Sequence, residues 1–408
     1  MRGIIPVLLF SQLVLAGVRV EKVLETTSTE EYNQWVERTR VRCPELDPVL
    51  IQSQHEVKGT LHRYTIRYYS ECGKIIKEEI LEGGLDSEGI CYISYTNDRA
   101  VYIRKKIGGS YQITVKDEAG RELFSLEDNK WLITPTGIGV YVEDIDPEYP
   151  VDKTTVLRVF DEDGRVVGTL KGFGGINLEN IYTPADRRYC VFQGGRFIIM
   201  LNRGGKELWR YEMGRDVFSL FIAKDGSRVG VNCGNVLIFD ENGNIVQKYK
   251  PFGEAKYLIS CALSDDGRWL VVGHSGVKFY NNETGELVWK DTVTLKGRNE
   301  LIKQVHVMKN SNLILVLCRS HNMYIFDKTG RLLLVHNLKL GKRLTSKRIP
   351  DESKPKWFPF TIKKIEVLTQ NWFSDVVGEY LIINKYSNGV RLRTQGDTKI
   401  VYRIHYTP

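Results

Sequence analysis

Glycine-containing tight turns recur along this chain about every forty residues, and this periodicity constrains the fold more than any other feature of the sequence. The recurrence intervals are 44, 41, 38, 42 and 45 residues for six clear copies, at Gly120, Gly164, Gly205, Gly243, Gly285 and Gly330. Each Gly precedes a strand-like run, in a loop where positive φ is needed and only Gly adopts it without strain. A weaker copy lies at 390–404. The pattern predicts one β-hairpin per repeat.

A second turn signal lies just upstream of each of these hairpins. It recurs at 94–103, 133–142, 182–192, 222–231, 263–273 and 307–317, with a further copy at 373–383. The stretch LSDDGRWLVVGHSGVKFYNNETGELVW (263–289) contains both signals in one repeat. The repeat therefore reads strand–turn–strand–loop–strand–turn–strand, which predicts a four-stranded antiparallel sheet.

One such sheet buries little, and both of its faces are apolar. Packing the sheets radially around an axis hides those faces and leaves only short edges, which is the β-propeller solution. We therefore predict an all-β, seven-bladed β-propeller, with full blades between about Gly89 and Tyr406. A lone hairpin pattern at 64–80 leaves an eight-bladed ring as the alternative.

The segment before the repeats has a different character. Residues 1–17 combine Arg2, an apolar run and a small-residue end, the layout of a secretory signal peptide, so we expect an exported protein, periplasmic or extracellular. No Cys follows Ala16-Gly17, so the lipoprotein acylation signal is missing. Residues 18–61 are expected to form an N-terminal extension with a helix at about 28–42, because Ser28 and Glu31 are spaced as a capping box. The propeller would then span 62–408.

The seven cysteines do not form a recognisable framework. Four of them lie in apolar strand-like runs, where a thiol usually behaves as a small buried hydrophobe. Cys43 and Cys72 fall outside the repeats and could pair in an oxidising compartment.

The turn and packing residues carry a resemblance to known families. SDDGRWLVVG (264–273) is similar to the inner-hairpin signature of bacterial WD-repeat-like propellers. GGKELWRY (204–211) and TGELVWK (284–290) resemble the Thr-Gly-x-x-x-Trp tail of quinoprotein-like propellers. The resemblance covers nearly all of 89–406 and implies architecture more than chemistry. Quinoprotein dehydrogenases use a vicinal Cys pair and a calcium-bound quinone, and the chain has no adjacent cysteines.

Catalytic signatures are absent from the sequence, with no HExxH, P-loop, GxSxG or GxGxxG after a strand. One acidic loop, VEDIDPEYPVD (142–152), brings Glu143, Asp144 and Asp146 close together. Such carboxylates could ligate Ca²⁺, and a solvated acidic loop is the alternative. No other cofactor is expected. His274 and His321 occupy equivalent loops of consecutive repeats, where exposed histidines are expected.

The net charge of +8 is concentrated in one segment. The connection at 338–364 contains nine basic and two acidic residues, a net charge of +7, and aromatic residues lie beside them. Basic residues beside aromatics suit an anionic partner, and a solvated loop that tucks its aromatics against the last blade is the alternative. The binding residues proposed from this segment are Lys342, Arg343, Lys347, Arg348, Trp357 and Phe358.

Three functional hypotheses follow from these observations. The first is an exported, non-enzymatic propeller that binds a protein or an anionic envelope component through the face carrying its longer loops, with peripheral membrane contact and no nucleic acid. The second is a hydrolase or lyase with a site at the mouth of the central channel. The third is a cytoplasmic assembly scaffold with an uncleaved N-terminus. The sequence does not fix the oligomeric state.

Overall fold

The computed structural model describes most of the repeats and their N-terminal neighbour. The described residues are 17–58, 61–84, 89–96, 100–107, 110–128, 132–133, 139–144, 155–160, 166–171, 176–182, 189–194, 196–202, 206–214, 217–252, 260–295, 298–308, 312–350, 360–368, 372–385 and 398–407.

The expected helix is present as α1 (Thr29–Arg40). Ser28 is its N-cap, and the Ser28 side chain accepts a hydrogen bond from the Glu31 backbone N–H at 3.2 Å. Acidic residues in the first turn and basic residues in the last turn complement the helix dipole. Trp35 packs edge-on against Tyr380 at 5.3 Å between ring centroids, so α1 covers a sheet built from the far end of the chain. Among the described residues, no helix is long and apolar enough to cross a membrane.

The remaining elements are strands, and they pair antiparallel. The first strands are β1 (Gly17–Thr26), β2 (Ile51–Lys58), β3 (Leu61–Tyr69), β4 (Ile75–Gly84), β5 (Gly89–Thr96), β6 (Ala100–Ile107), β7 (Ser110–Asp117) and β8 (Glu122–Asp128). Strands β2 to β8 form one sheet in chain order, in which β4 and β5 share only the register pair Gly83 and Gly89.

The central repeats form separate four-stranded sheets in chain order. These are β9 (Leu132–Ile133), β10 (Gly139–Asp144), β11 (Thr155–Phe160) and β12 (Val166–Lys171); β13 (Ile176–Tyr182), β14 (Tyr189–Gly194), β15 (Phe197–Asn202) and β16 (Glu207–Glu212); β17 (Ser219–Ile222), β18 (Val229–Asn232), β19 (Val236–Phe239) and β20 (Ile245–Tyr249); and β21 (Ser260–Leu263), β22 (Trp269–Gly273), β23 (Val277–Asn281) and β24 (Leu287–Asp291).

The last third of the chain adds two more four-stranded sheets and two hairpins. Its strands are β25 (Thr294–Leu295), β26 (Arg298–Asn299), β27 (Ile302–Val307), β28 (Leu313–Cys318), β29 (Asn322–Asp327), β30 (Leu332–Asn337), β31 (Lys342–Pro350), β32 (Phe360–Leu368), β33 (Trp372–Val377), β34 (Tyr380–Lys385) and β35 (Thr398–Thr407). Strands β27 to β30 form one sheet, and β33, β34, β35 and β1 form the other.

The two ends of the described chain meet in that last sheet. Strand β1 pairs with β35 from Gly17 opposite Thr407 to Thr26 opposite Lys399. The N-terminal segment therefore supplies the outermost strand of a sheet whose other strands come from the C-terminus. Strand β2 pairs with β3 along its whole length. The two strands therefore belong to one sheet, although residues 59–60 lie between them in the sequence.

The turn glycines have the predicted backbone geometry. Gly120, Gly243, Gly285 and Gly330 have φ of 72°, 82°, 77° and 89°, whereas Gly164 and Gly205 lie outside the described residues. A polar side chain at the start of the turn stabilises its backbone. In the turn at Gly330, Asp327 Oδ1 accepts hydrogen bonds from the backbone N–H groups of Thr329 and Arg331 at 2.9 and 3.0 Å. Burial raises the pKa of the Asp327 carboxyl, but these hydrogen bonds outweigh burial and the pKa is lowered overall.

The turn glycines that the structure describes also pack against the sheet that precedes them. A Cβ on Gly243 would lie 2.7 Å from the Trp209 ring, and a Cβ on Gly330 would lie 2.7 Å from the Trp289 ring. Both tryptophans occur four residues after the turn glycine of the preceding repeat. Only Gly fits at these positions, because the close approach and the positive φ both exclude a side chain.

The core lies between neighbouring sheets. One cluster joins β21–β24 to β27–β30 and contains Phe279, Val305 and Val316. A second joins β27–β30 to the last sheet and contains Leu315 and Trp372. Alternate residues of β28 enter opposite clusters, as the two-residue period of a strand requires.

Cys72, Cys190, Cys261 and Cys318 are free thiols. Cys190 and Cys318 are buried in strands as expected, and burial raises the pKa of Cys190 to about 12. The suggested pairing of Cys43 with Cys72 is wrong: Cys43 is buried with its Sγ 3.8 Å from the Val377 carbonyl, and Cys72 Sγ lies 3.1 Å from Ser70 Oγ.

Candidate functional site

The basic segment between β30 and β33 is a hairpin of its own. Strands β31 and β32 form a two-stranded sheet that is not hydrogen-bonded to the other described strands. Lys342, Arg343, Lys347 and Arg348 all lie in β31, whereas Trp357 and Phe358 lie outside the described residues. The sequence predicted a long loop at 338–364, because this segment is a lengthened connection between two repeats; the structure has strands at 342–350 and 360–368 instead.

The register of this hairpin places one lysine position directly opposite another. Lys347 pairs with Lys363, and Ser346 pairs with Lys364. Like charges at directly opposed positions destabilise an antiparallel pair, and an isolated two-stranded hairpin is only marginally stable in water. An anion that binds across these strands would offset both effects.

The base of the hairpin is anchored in the core. Leu338 and Leu340 are buried in the cluster that contains Trp372. Lys339 between them has φ of 51° and Gly341 has φ of 88°, which turns the chain out of the core and into β31. The hairpin is thereby attached at a defined point between the last two sheets.

The acidic segment is only partly described. Glu143 and Asp144 are the final residues of β10 and pair with Val156 and Thr155, and Asp146 lies outside the described residues. Elsewhere in the described parts of the chain, no group of three or more His, Cys, Asp or Glu could hold a metal ion. The calcium hypothesis stays a prediction.

The two loop histidines are not equivalent. His274 is partly exposed and lies 5.6 Å from the Phe252 ring. His321 is only 2% exposed, with φ of 68°, and its ring lies edge-on to Trp372 at 6.3 Å. The expectation that both are exposed is wrong for His321, because its loop folds back onto the next sheet and the Leu338 N–H donates to its carbonyl at 2.9 Å.

A polar network joins the first strands of the last two sheets. His306 Nε2 lies 2.8 Å from Ser374 Oγ, and the Ser374 N–H donates to Gln304 Oε1 at 3.0 Å. Burial, and next the charge of Lys224, lower the pKa of His306 to about 4, so the imidazole is neutral at pH 7. A hydrogen-bonded Ser–His pair is what an activated nucleophile needs. Ser374 is only 3% exposed, however, so this pair functions as a packing contact between sheets.

A surface cavity of about 470 Å³ lies beside the β22–β23 turn. Its lining includes Phe252, Ser275, Lys278 and Asp291. The ammonium of Lys278 donates to the Pro251 carbonyl and lies 5.1 Å from the Phe252 ring centroid, so this lysine is already engaged by the protein.

A comparison with models of protein families agrees with this architecture. The model of a family described as beta-propeller protein matches residues 149–279. Over the residues that it matches, the family model agrees with the repeated four-stranded sheets, and together they indicate a β-propeller architecture. A search of curated proteins returned no match.

Three solved structures illustrate the likeness. BamB from Moraxella catarrhalis has 11% identity and a TM-score of 0.45, with 94% of this chain and 100% of that chain covered. KlHsv2 with loop 6CD replaced by a Gly-Ser linker has 10% identity and a TM-score of 0.43, with 79% and 98% covered. Sqt1 from Saccharomyces cerevisiae has 13% identity and a TM-score of 0.43, with 88% and 93% covered.

Proposed function

We propose that this protein is an exported, non-enzymatic binding scaffold that holds an anionic partner with the β31–β32 hairpin. The observation that carries the proposal is the hairpin itself, a separate two-stranded sheet in which Lys347 and Lys363 are opposed. A propeller supplies a rigid ring whose connections are free to vary, and binding residues concentrate on such connections. The partner class is an acidic protein surface, with an anionic envelope component as the competing outcome.

The scaffold we propose is a closed ring, and one contact supports eight units rather than seven. A Cβ on Gly120 would lie 2.8 Å from the Lys77 side chain. Lys77 occurs four residues after Gly73, as Trp209 and Trp289 follow their own turn glycines. Strands β2 to β4 thus contact β5 to β8 in the way that one repeat contacts the next, which favours an additional unit at this position.

Replacing 342–368 by a Gly-Ser linker tests the function. The wild-type chain and this variant are used to capture partners from an envelope extract, and both are tested for sedimentation with vesicles of anionic lipid. A protein that is captured by the wild type and lost with the variant supports an acidic protein partner. Loss of vesicle binding alone supports an envelope component.

Charge reversal tests whether binding depends on the hairpin itself or only on the net charge of the protein. The double variant Lys347→Glu, Lys363→Glu should lose the same partner. The control double variant Lys248→Glu, Lys328→Glu has the same change in net charge at two exposed lysines outside the hairpin and should keep it. Equal loss in both variants, or no loss in either, would refute the hairpin as the binding element.

A further inference from the structure

A buried carboxylate begins a chain of hydrogen bonds that ends at the base of the β31–β32 hairpin. Glu300, between β26 and β27, is only 9% exposed. Its two oxygens each accept from Asn322 Nδ2 at 3.1 Å, and one of them also accepts from the Tyr324 hydroxyl at 2.9 Å. Burial of a carboxylate costs free energy unless its oxygens are hydrogen-bonded, so Asn322 and Tyr324 are needed to keep Glu300 in this position.

The chain of hydrogen bonds continues across β29 and β30. Asn322 of β29 lies directly opposite Asn337 of β30 in the register. Asn337 Nδ2 donates to Asn322 Oδ1 at 2.8 Å, and Asn337 Oδ1 accepts from the Lys339 backbone N–H at 3.0 Å. Lys339, with φ of 51°, lies where the chain turns toward β31. The buried carboxylate is therefore linked to the point at which the hairpin begins.

The carboxylate of Glu300 determines the orientation of both amides. A carboxylate only accepts hydrogen bonds, so Asn322 must direct its NH₂ group toward Glu300 and its oxygen toward Asn337. Asn337 must then direct its NH₂ group toward Asn322 and its oxygen toward the Lys339 N–H. Reversal of either amide would place two acceptors or two donors against each other. The network therefore has a single arrangement of donors and acceptors.

The residue before Lys339 is held as well. The Leu338 N–H donates to the His321 carbonyl at 2.9 Å, and the Leu338 carbonyl accepts from the Tyr402 hydroxyl at 2.7 Å. Leu338 is thus joined both to the β28–β29 loop and to β35 of the last sheet. The backbone that leads into β31 is hydrogen-bonded at two successive residues, 338 and 339.

We propose that Glu300, Asn322 and Asn337 are positioning residues that fix the direction in which the β31–β32 hairpin leaves the β27–β30 sheet. A binding element that is held in one direction loses less conformational freedom when a partner binds. This benefit for binding rests on the proposed function of the hairpin. The positioning itself does not, and it is measured without a partner.

The direction of the hairpin is measured in the full-length protein as the distance between two spin labels. One label replaces Thr345 of β31, and the other replaces Lys248, an exposed residue of β20. Both are attached through a ketone-bearing amino acid, so that the native cysteines stay unlabelled. The test variant is Asn337→Asp, which can still accept from the Lys339 N–H but cannot donate to Asn322. The matched control is Asn242→Asp, the same change at an exposed asparagine of the β19–β20 turn.

We expect a single narrow distance distribution for the wild type and for Asn242→Asp. The distribution for Asn337→Asp should be about twice as wide, because the chain can then leave the sheet in more than one direction. Glu300→Gln should have the same effect, since its amide adds a donor at the buried end of the network. Because Asn337 is exposed, Asn337→Asp should change the melting temperature by no more than a few degrees, which separates lost positioning from lost folding. If Glu300→Gln does not fold, Asn337→Asp decides the test.

Three results would overturn the positioning role. They are a wild-type distribution as wide as that of Asn337→Asp, an unchanged narrow distribution in Asn337→Asp, and equal widening in Asn242→Asp. A hairpin that is fixed in the wild type but captures no partner would leave the positioning intact and refute only the proposed function. Capture of a partner by a hairpin whose wild-type distribution is wide would refute only the positioning.

Discussion

The two faces of β27 differ in chemistry, although both are packed against a neighbouring sheet. Toward β21–β24 the strand presents Ile302, Val305 and Val307, which enter an apolar cluster. Toward β33 it presents Gln304 and His306, which contact Ser374, and Lys303, which lies over Trp372. The face toward β21–β24 is apolar, as is usual in a stable core, whereas the face toward β33 is polar and carries a charged side chain.

The comparison shows that the apolar residues of β27, which stabilise the fold, lie on one face of the strand and its polar residues lie on the other. Burial of apolar area on the first face contributes to folding without specific partners. The second face needs a hydrogen-bond partner for each polar group and carries a cation whose charge burial disfavours. The polar face is therefore expected to contribute less to the stability of the fold than the apolar face.

Truncation of the apolar face should have the largest effect. Phe279 is fully buried and stacks between Trp269 and Trp289 at centroid distances of 5.2 and 5.5 Å. We expect Phe279→Ala to lower the free energy of unfolding by about 4 kcal/mol, from lost burial and the resulting cavity. Denaturant unfolding measures this.

The matched control for that variant is the phenylalanine of the polar side. Phe373 is partly exposed, so Phe373→Ala should lower the free energy of unfolding by only about 1–2 kcal/mol. Equal losses for the two truncations would break the contrast between the faces.

The pH dependence of stability tests His306. Burial, with a smaller effect of Lys224, lowers its pKa to about 4 in the folded protein, against about 6.5 when unfolded. Between these values the unfolded chain binds a proton that the folded chain does not, so stability is complete above about pH 6.5 and falls as the pH drops toward 4. The loss reaches up to about 3 kcal/mol.

The variant His306→Gln isolates this contribution. Urea unfolding of wild type and variant at several pH values between 4 and 7 gives the difference in their free energies of unfolding. Because the carboxylates titrate alike in both chains, this difference should change by roughly 1.4 kcal/mol per pH unit over the window. A difference that does not change with pH would show that His306 is readily protonated in the folded state.

Removing the cation should stabilise the polar face. The pKa of Lys303 is lowered to about 8, chiefly by burial and next by Arg319. The cost of its charge is therefore complete below pH 8 and disappears as the pH rises toward 10.5. At pH 7 we expect Lys303→Met to raise the free energy of unfolding by about 1–2 kcal/mol, a value reduced for partial solvent access. Thermal and urea unfolding measure the gain; a loss of stability would mean that the cation–π contacts outweigh the burial cost.

The sequence predicted the apolar face of β27 better than the polar face. Apolar strand positions are recognised from local patterns, whereas the polar contacts join residues that are distant in the sequence. Local signals were enough for the repeat: positive φ at Gly243 and Gly330 requires glycine, and strand alternation marks the apolar positions. The polar face could not be predicted, because Trp372 lies far from Lys303 in sequence and a one-residue bulge directs the lysine toward it. Likewise, the basic composition of β31 concealed a strand that only pairing with β32 reveals.

The smallest expected effect concerns the link between the sheets. Ser374 Oγ lies 2.8 Å from His306 Nε2 and 3.0 Å from Gln304 Oε1. Ser374→Ala should lower the free energy of unfolding by about 1 kcal/mol, because the polar groups of β27 lose a buried partner. A double-mutant cycle with His306→Gln should give a coupling of about 0.5–1 kcal/mol, whereas the pair Ser374→Ala and Lys248→Met should be additive. Additivity in both cycles would mean that the two sheets are held together by the apolar cluster alone, and that the polar face of β27 contributes nothing to the link between them.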